Sequence, residues 1–224
     1  MMNYKSILNL LGILLGIFSL SFLPPLIIAY TYNESESEIF LYSFLFFLIL
    51  GGAIWGGARQ QNLPLNISDG FIITTLFWVV LACAGSVPFY FFGLNVSDAI
   101  FESVSGITTT GATTIVGLDN LPKSILLYRQ LLQWIGGMGL IVLAVAVMPA
   151  LGIGGGQLYK MELPGSHGNQ RLTPKITDSA KALWKIYVGL TVACAALYFL
   201  SGMSIFDSIA HSLSTVARGW IFNT

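Results

Sequence analysis

Between two long apolar segments, the stretch Phe101–Thr114 holds five threonines, two glycines and no lysine or arginine. A polar, glycine-bearing break at membrane depth survives only where it lines water or is buried in protein. Carbonyls presented by Thr and Gly can replace the hydration shell of an alkali cation. The stretch is therefore expected to form a re-entrant pore loop. A short pore helix would lead into an ion-coordinating strand through Thr109, Thr110, Gly111, Ala112 and Thr113.

The flanking sequence is that of an integral membrane protein. Of the 224 residues, 55% are hydrophobic and only 9% charged, whereas soluble domains carry about a quarter charged residues. Mean hydropathy is +0.78. Spanning helices need about 20 apolar residues. Candidates run roughly over Ile7–Tyr30, Ile39–Ala58, Gly70–Phe92, Ser124–Pro149 and Ala182–Leu200. The first is longer than a signal-peptide core and lacks a small-residue cleavage site, so it is read as a retained transmembrane helix. Pro24-Pro25 should end or kink it. Cys83 and Cys194 fall inside apolar spans and read as small hydrophobes, with no disulfide or metal site suggested.

Charge sets the expected orientation. Lys5 and Arg59 fall on one side, joined by Lys160, Arg171, Lys175, Lys181 and Lys185 if the 98–114 stretch dips in and returns. Lys123, Arg129, Glu34, Glu36 and Glu38 fall on the other. The positive-inside rule then places the N-terminus and the Leu151–Lys181 loop in the cytoplasm. Within that loop, Leu172-Thr-Pro174 resembles a helix start, with Pro174 suited to the first helical position. Ordinary positive-inside anchoring accounts for its basic residues; docking of a cytoplasmic partner is the alternative.

The chain carries an internal repeat at a constant offset of 109 residues. Gly93 pairs with Gly202, Asp98 with Asp207, Ile100 with Ile209, Ser103 with Ser212 and Ser105 with Ser214. Asp98 and Asp207 each sit where a helix N-cap belongs, and a carboxylate there complements the helix dipole. The expected fold class is all-α integral membrane. Residues 1–62 give two leading transmembrane helices, 63–150 a complete helix–pore loop–helix repeat, 151–181 a cytoplasmic loop and 182–224 an incomplete second repeat.

These residues resemble the membrane subunit of Trk-type potassium-uptake systems, within the wider Trk/Ktr/HKT group. The likeness rests on Phe101–Thr114, Gln133–Gly139, Gln157–Gly165 and Leu172–Trp184, and runs from near the N-terminus to about Ala217. It implies four repeats per polypeptide, each supplying one filter stretch. It also implies potassium as the transported ion, a homodimer in a bacterial inner membrane, and a peripheral cytoplasmic partner that binds nucleotide. The filter positions match Thr109, Thr110, Gly111, Ala112 and Thr113, with potassium at Thr109, Thr110 and Gly111. The central glycine, kept here as Gly111, separates potassium-selective from sodium-permeable members.

The sequence departs from the family at its end. Thr215, Val216 and Ala217 are read as the disrupted second filter region, and Arg218 falls where Thr109 sits in the first copy. The family has a stretch like Thr-Gly-Gly-Phe-Ser-Thr there, and a guanidinium would repel a cation and be costly to bury. Trp220–Thr224 can be encoded TGG ATT TTC AAC ACN, which one base later reads GGA TTT TCA ACA, or Gly-Phe-Ser-Thr. The expectation is a frameshifted or truncated second filter.

Other residues are weighed by the same chemistry. Glu102 either raises the local cation concentration or bonds to filter amides. His211, its counterpart in the repeat, reads as a packed pore-helix residue. Arg129 reads as an interfacial residue that snorkels. Gly136, Gly137 and Gly139 read as a small-residue packing face or a flexible point. No nucleophile–base pair, metal cluster or phosphate loop points to an enzyme. No cofactor is expected, and a net charge of zero gives no reason to expect nucleic-acid binding. Potassium uptake through a carbonyl-lined filter and a non-conducting interaction module or inert fragment both remain open. A transporter with inverted repeats is disfavoured, because both copies run in the same order.

Overall fold

The computed structural model describes residues 4–58, 67–150 and 172–218, with the backbone alone at 67–71, 119, 140–150 and 172–180. Every long element is helical. Helix α1 (Tyr4–Ser19) passes through a 3-10 turn (Leu20–Phe22) into α2 (Leu23–Thr31), and α3 is Ser37–Ala58. The first repeat follows as α4 (Ile67–Phe92), α5 (Val96–Ile107) and α6 (Lys123–Ala150). The second begins as α7 (Leu172–Leu200) and α8 (Ile205–Val216). Four stretches among the described residues are long and apolar enough to cross a membrane: Tyr4–Thr31, Ser37–Ala58, Ile72–Phe92 and Lys181–Leu200. The stretch expected to be loop up to Lys181 is already helical from Leu172.

The 3-10 turn has a direct cause. Pro24 and Pro25 lack the amides that would bond back to the preceding turn, so the helix tightens before them and restarts with both prolines in its first turn. Asn33, at φ 54°, closes α2 in the left-handed region that Asn tolerates. Glu34 then reaches across the fold. Its two carboxylate oxygens accept from the backbone amides of Lys123 (2.7 Å) and Ser124 (3.0 Å). An anion at the positive end of α6 is favourable, and it ties the α2–α3 turn to the same end of the bundle as the start of α6.

Two contacts hold the leading hairpin. In the first, α1 and α3 meet backbone to backbone. A Cβ on Gly12 would lie 2.7 Å from the Trp55 nitrogen, and one on Gly51 would lie 2.7 Å from the Gly16 nitrogen. Small residues allow this approach where lipid offers no hydrophobic drive between helices. In the second, fully buried Tyr128 of α6 packs its ring against Phe22, Phe40 and Phe89 at 5.2–5.7 Å. Its hydroxyl donates to the Gly85 carbonyl at 2.9 Å, satisfying the polar tip of a buried aromatic.

A Gly51→Val substitution should therefore separate α1 from α3 and lower the melting temperature in detergent. Gly52→Val, whose Cβ would meet nothing within 4 Å among the described residues, should leave it unchanged.

Candidate functional site

The pore helix α5 begins with a cap one turn earlier than the sequence reading placed it. Asn95, not Asp98, is the N-cap. Its Oδ1 accepts the Asp98 amide at 2.8 Å and its Nδ2 donates to Asp98 Oδ2 at 2.6 Å. In α8 the cap is Ser204, not Asp207. Its Oγ accepts the Asp207 amide at 3.1 Å and donates to Asp207 Oδ2 at 2.6 Å. In both, the cap side chain accepts the amide of the third helical residue and donates to that residue's carboxylate. The spacing of three from Asn95 to Asp98 and from Ser204 to Asp207 was the available signal.

Helix α5 is seated on α4 and α6. Ser103 Oγ donates to the Ala82 carbonyl at 2.7 Å, and a Cβ on Gly85 would lie 2.5 Å from that Oγ. At its C-terminal end the chain turns without forming a strand. The amides of Thr108, Thr109 and Thr110 bond back to the carbonyls of Val104, Gly106 and Ser105 at 2.8–3.0 Å. Thr109 and Gly111 adopt φ of 57° and 79°, a region natural for Gly and strained for Thr. The Ala112 carbonyl is taken by Ser105 Oγ at 2.6 Å. Among the described residues, the carbonyls of Thr109, Thr110 and Gly111 accept no hydrogen bond. The Thr113 carbonyl accepts none either, so of the five residues read from sequence Ala112 alone has its carbonyl taken by another described residue.

Glu102 secures this stretch. Only 3% exposed, it uses both carboxylate oxygens. Oε1 accepts from Thr113 Oγ1 at 2.6 Å and from the Thr114 amide at 2.7 Å. Oε2 accepts from Arg129 Nε at 3.0 Å and lies 2.9 Å from Arg129 Nη2. Of the two roles weighed for Glu102, bonding to the backbone is the one observed, at the Thr114 amide. The pairing also corrects the reading of Arg129, which does not snorkel to an interface. It is 2% exposed and neutralises Glu102. A cation inside an apolar helix with an acid on the neighbouring pore helix was the signal, since intramembrane charges pair with one another.

The second repeat follows the same path for as far as it is described. Helices α5 and α8 have 12 residues each, and their limits are offset by the 109 residues of the sequence repeat. Ala217 and Arg218 donate to the Leu213 and Thr215 carbonyls, matching the bonds of Thr108 and Thr109. Arg218 adopts φ 61° and is exposed, so its guanidinium is not buried. Thr215 and Val216 form the last turn of α8 and Ala217 is its C-cap. By register they match Gly106, Ile107 and Thr108, the residues that precede Thr109. Residues 219–224 lie outside the described residues, as do Lys160, Arg171 and Arg59. His211 is buried in α8 with its ring 6.2 Å from that of Tyr198.

The family described as "TrkH: Cation transport protein" matches residues 36–220. The chain is 50% identical over 221 residues to the Trk system potassium uptake protein TrkH of Vibrio parahaemolyticus, covering 97% of this chain and 46% of that protein. It is 47% identical over 221 residues to the TrkH of Escherichia coli K12, with the same coverage. It superposes on the crystal structure of the potassium transporter TrkH from Vibrio parahaemolyticus with a TM-score of 0.84 at 47% identity, covering 97% of this chain and 44% of that one. It thus spans under half the length of these relatives. With the family match extending over most of its residues, the chain belongs to the TrkH family of cation transport proteins.

Proposed function

We propose that this chain supplies the first filter stretch of a pore that takes up potassium across a bacterial inner membrane, as the pore-forming subunit of a Trk-type system. The observation that carries this reading is the row of unengaged carbonyls on Thr109, Thr110 and Gly111, at the negative end of α5. Such carbonyls can substitute for water around a dehydrated cation, and the helix dipole adds partial negative charge. The relatives' names specify potassium. The membrane potential would contribute about 2.3 kcal/mol per charge per 100 mV to inward flow.

In this reading Glu102 is a positioning residue. It holds Thr113 and Thr114 while Arg129 cancels its charge, so the ion meets carbonyls rather than a carboxylate. The N-terminus is cytoplasmic, in line with Lys5 and the basic residues of α7. Glu34 and the start of α6 lie at the opposite, outer end. The functional assembly is a homodimer whose cytoplasmic face binds a nucleotide-binding partner.

Arg218 favours a second reading for the chain taken alone. An exposed guanidinium at the position equivalent to Thr109 would repel a cation. The 224-residue chain would then be non-conducting, an interaction module or an inert product. Rubidium flux into liposomes separates the two readings: the chain alone is expected to carry none, and a full-length protein whose second filter stretch has the family's threonine in place of Arg218 is expected to carry it. Absence of flux from the full-length protein would refute the uptake reading.

Two substitutions test the filter in that full-length protein. Gly111→Ser should lower the preference for rubidium over sodium by about tenfold, or ~1.4 kcal/mol, measured by isotope uptake. Glu102→Gln should strand the buried Arg129 charge, costing about 3–5 kcal/mol of stability and abolishing uptake. Pairing it with Arg129→Met should recover much of the stability in detergent unfolding, because no lone charge remains.

A further inference from the structure

Helix α6 packs against both pore helices, and two adjacent glycines mark where it meets their ends. A Cβ on Gly136 would collide with the backbone carbonyl of Ile107, the last residue of α5. A Cβ on Gly137 would lie 3.2 Å from the Cα of Ala217, the C-cap of α8, and 2.8 Å from the Tyr187 hydroxyl. The left-handed turn begins two residues beyond the Gly136 contact, at Thr109, and directly after the Gly137 contact, at Arg218. Neighbouring positions on a helix point about 100° apart, so one Gly-Gly step addresses both repeats at once.

The surroundings separate the two glycines. Gly136 faces backbone, which cannot rotate away, and it borders a cavity of about 180 Å³ lined by Trp78, Ile107, Thr108 and Thr109. Gly137 faces a side-chain tip and the small Ala217. Helix α6 is fastened to α7 beside it, where Trp134 Nε1 donates to Thr191 Oγ1 at 3.0 Å and the Tyr187 hydroxyl donates to the Trp134 carbonyl at 3.0 Å. A Cβ on Gly139, by contrast, would among the described residues meet Trp78 alone, at 3.8 Å.

We propose that Gly136 and Gly137 are positioning residues that set the end of the first pore helix against the end of the second, each glycine fixing one of them. This rests on the potassium-pore reading for its consequence, but not for its geometry. A merely structural packing role would loosen the whole bundle when either glycine is enlarged. A positioning role loosens one filter approach and spares the other.

Amide hydrogen exchange on the 224-residue chain in lipid nanodiscs distinguishes these. Gly136→Ala should speed exchange at Thr108–Gly111 by about tenfold or more while leaving 205–218 within about twofold. Gly137→Ala should do the reverse, and adding Tyr187→Phe, which removes the hydroxyl the new Cβ meets, should restore part of the protection. Gly139→Ala should change neither region. Equal effects on both regions, or no effect on either, would overturn the proposal. If Gly136→Ala does not yield folded protein, the Gly137→Ala and Tyr187→Phe pair decides it alone. In the full-length protein, Gly136→Ala should also cut the rubidium-to-sodium uptake ratio by about tenfold. If the unmodified protein takes up neither ion, the potassium reading fails while the exchange pattern still decides the spacing role.

Discussion

A single buried carboxylate organises the first repeat. Glu102 stands on the pore helix, one oxygen holding the chain that follows the free carbonyls and the other holding α6 through Arg129. Taking a charge out of water is expensive unless it is paired and hydrogen-bonded, and here it is both. The same requirement makes the arrangement stiff. Releasing Thr113 and Thr114 would leave Oε1 without its donors, and moving α6 would leave Arg129 and Glu102 as separate buried charges. The turn at Thr109–Gly111 is strained at Thr109, and such backbone persists only when its surroundings fix it from several directions. Asn95 fixes the start of the pore helix, Ser103 its flank and Glu102 the far side of the turn.

The leading hairpin belongs to the same framework. Tyr128 follows Leu127 on α6 and precedes Arg129. Its ring fills the gap between Phe22, Phe40 and Phe89 while its hydroxyl caps a carbonyl of α4. Beside the α2–α3 turn, Glu34 closes the N-terminus of α6, and the Lys123 ammonium lies 3.9 Å from the Tyr32 ring centroid and 5.3 Å from that of Phe206. One helix therefore joins the hairpin, the first repeat and the start of the second.

Much of this was legible in the sequence because it depends on local pattern. The apolar runs gave the spanning helices, Pro24-Pro25 the break in the first, and the 109-residue offset a repeat that the two 12-residue pore helices follow position by position. Even the left-handed backbone recurs, at Thr109 and at Arg218, although their side chains have nothing in common. The pairing of Glu102 with Arg129 was harder to read, since the partners are 27 residues apart and a lone arginine near a helix end more often reaches for water. The caps were misplaced by one turn because aspartate suits both the cap and the third helical position. The separate tasks of Gly136 and Gly137 depend on which backbone approaches each, and that is decided only when the helices are assembled.

The central claim is that bare carbonyls of Thr109, Thr110 and Gly111, rather than an acidic side chain, meet the ion. Crystals of the full-length protein soaked in rubidium or thallium would test it by anomalous scattering. The account predicts peaks in line with those three carbonyls and none beside Glu102. Peaks confined to carboxylates, or none near Thr109–Gly111 in protein that takes up the ion, would contradict it.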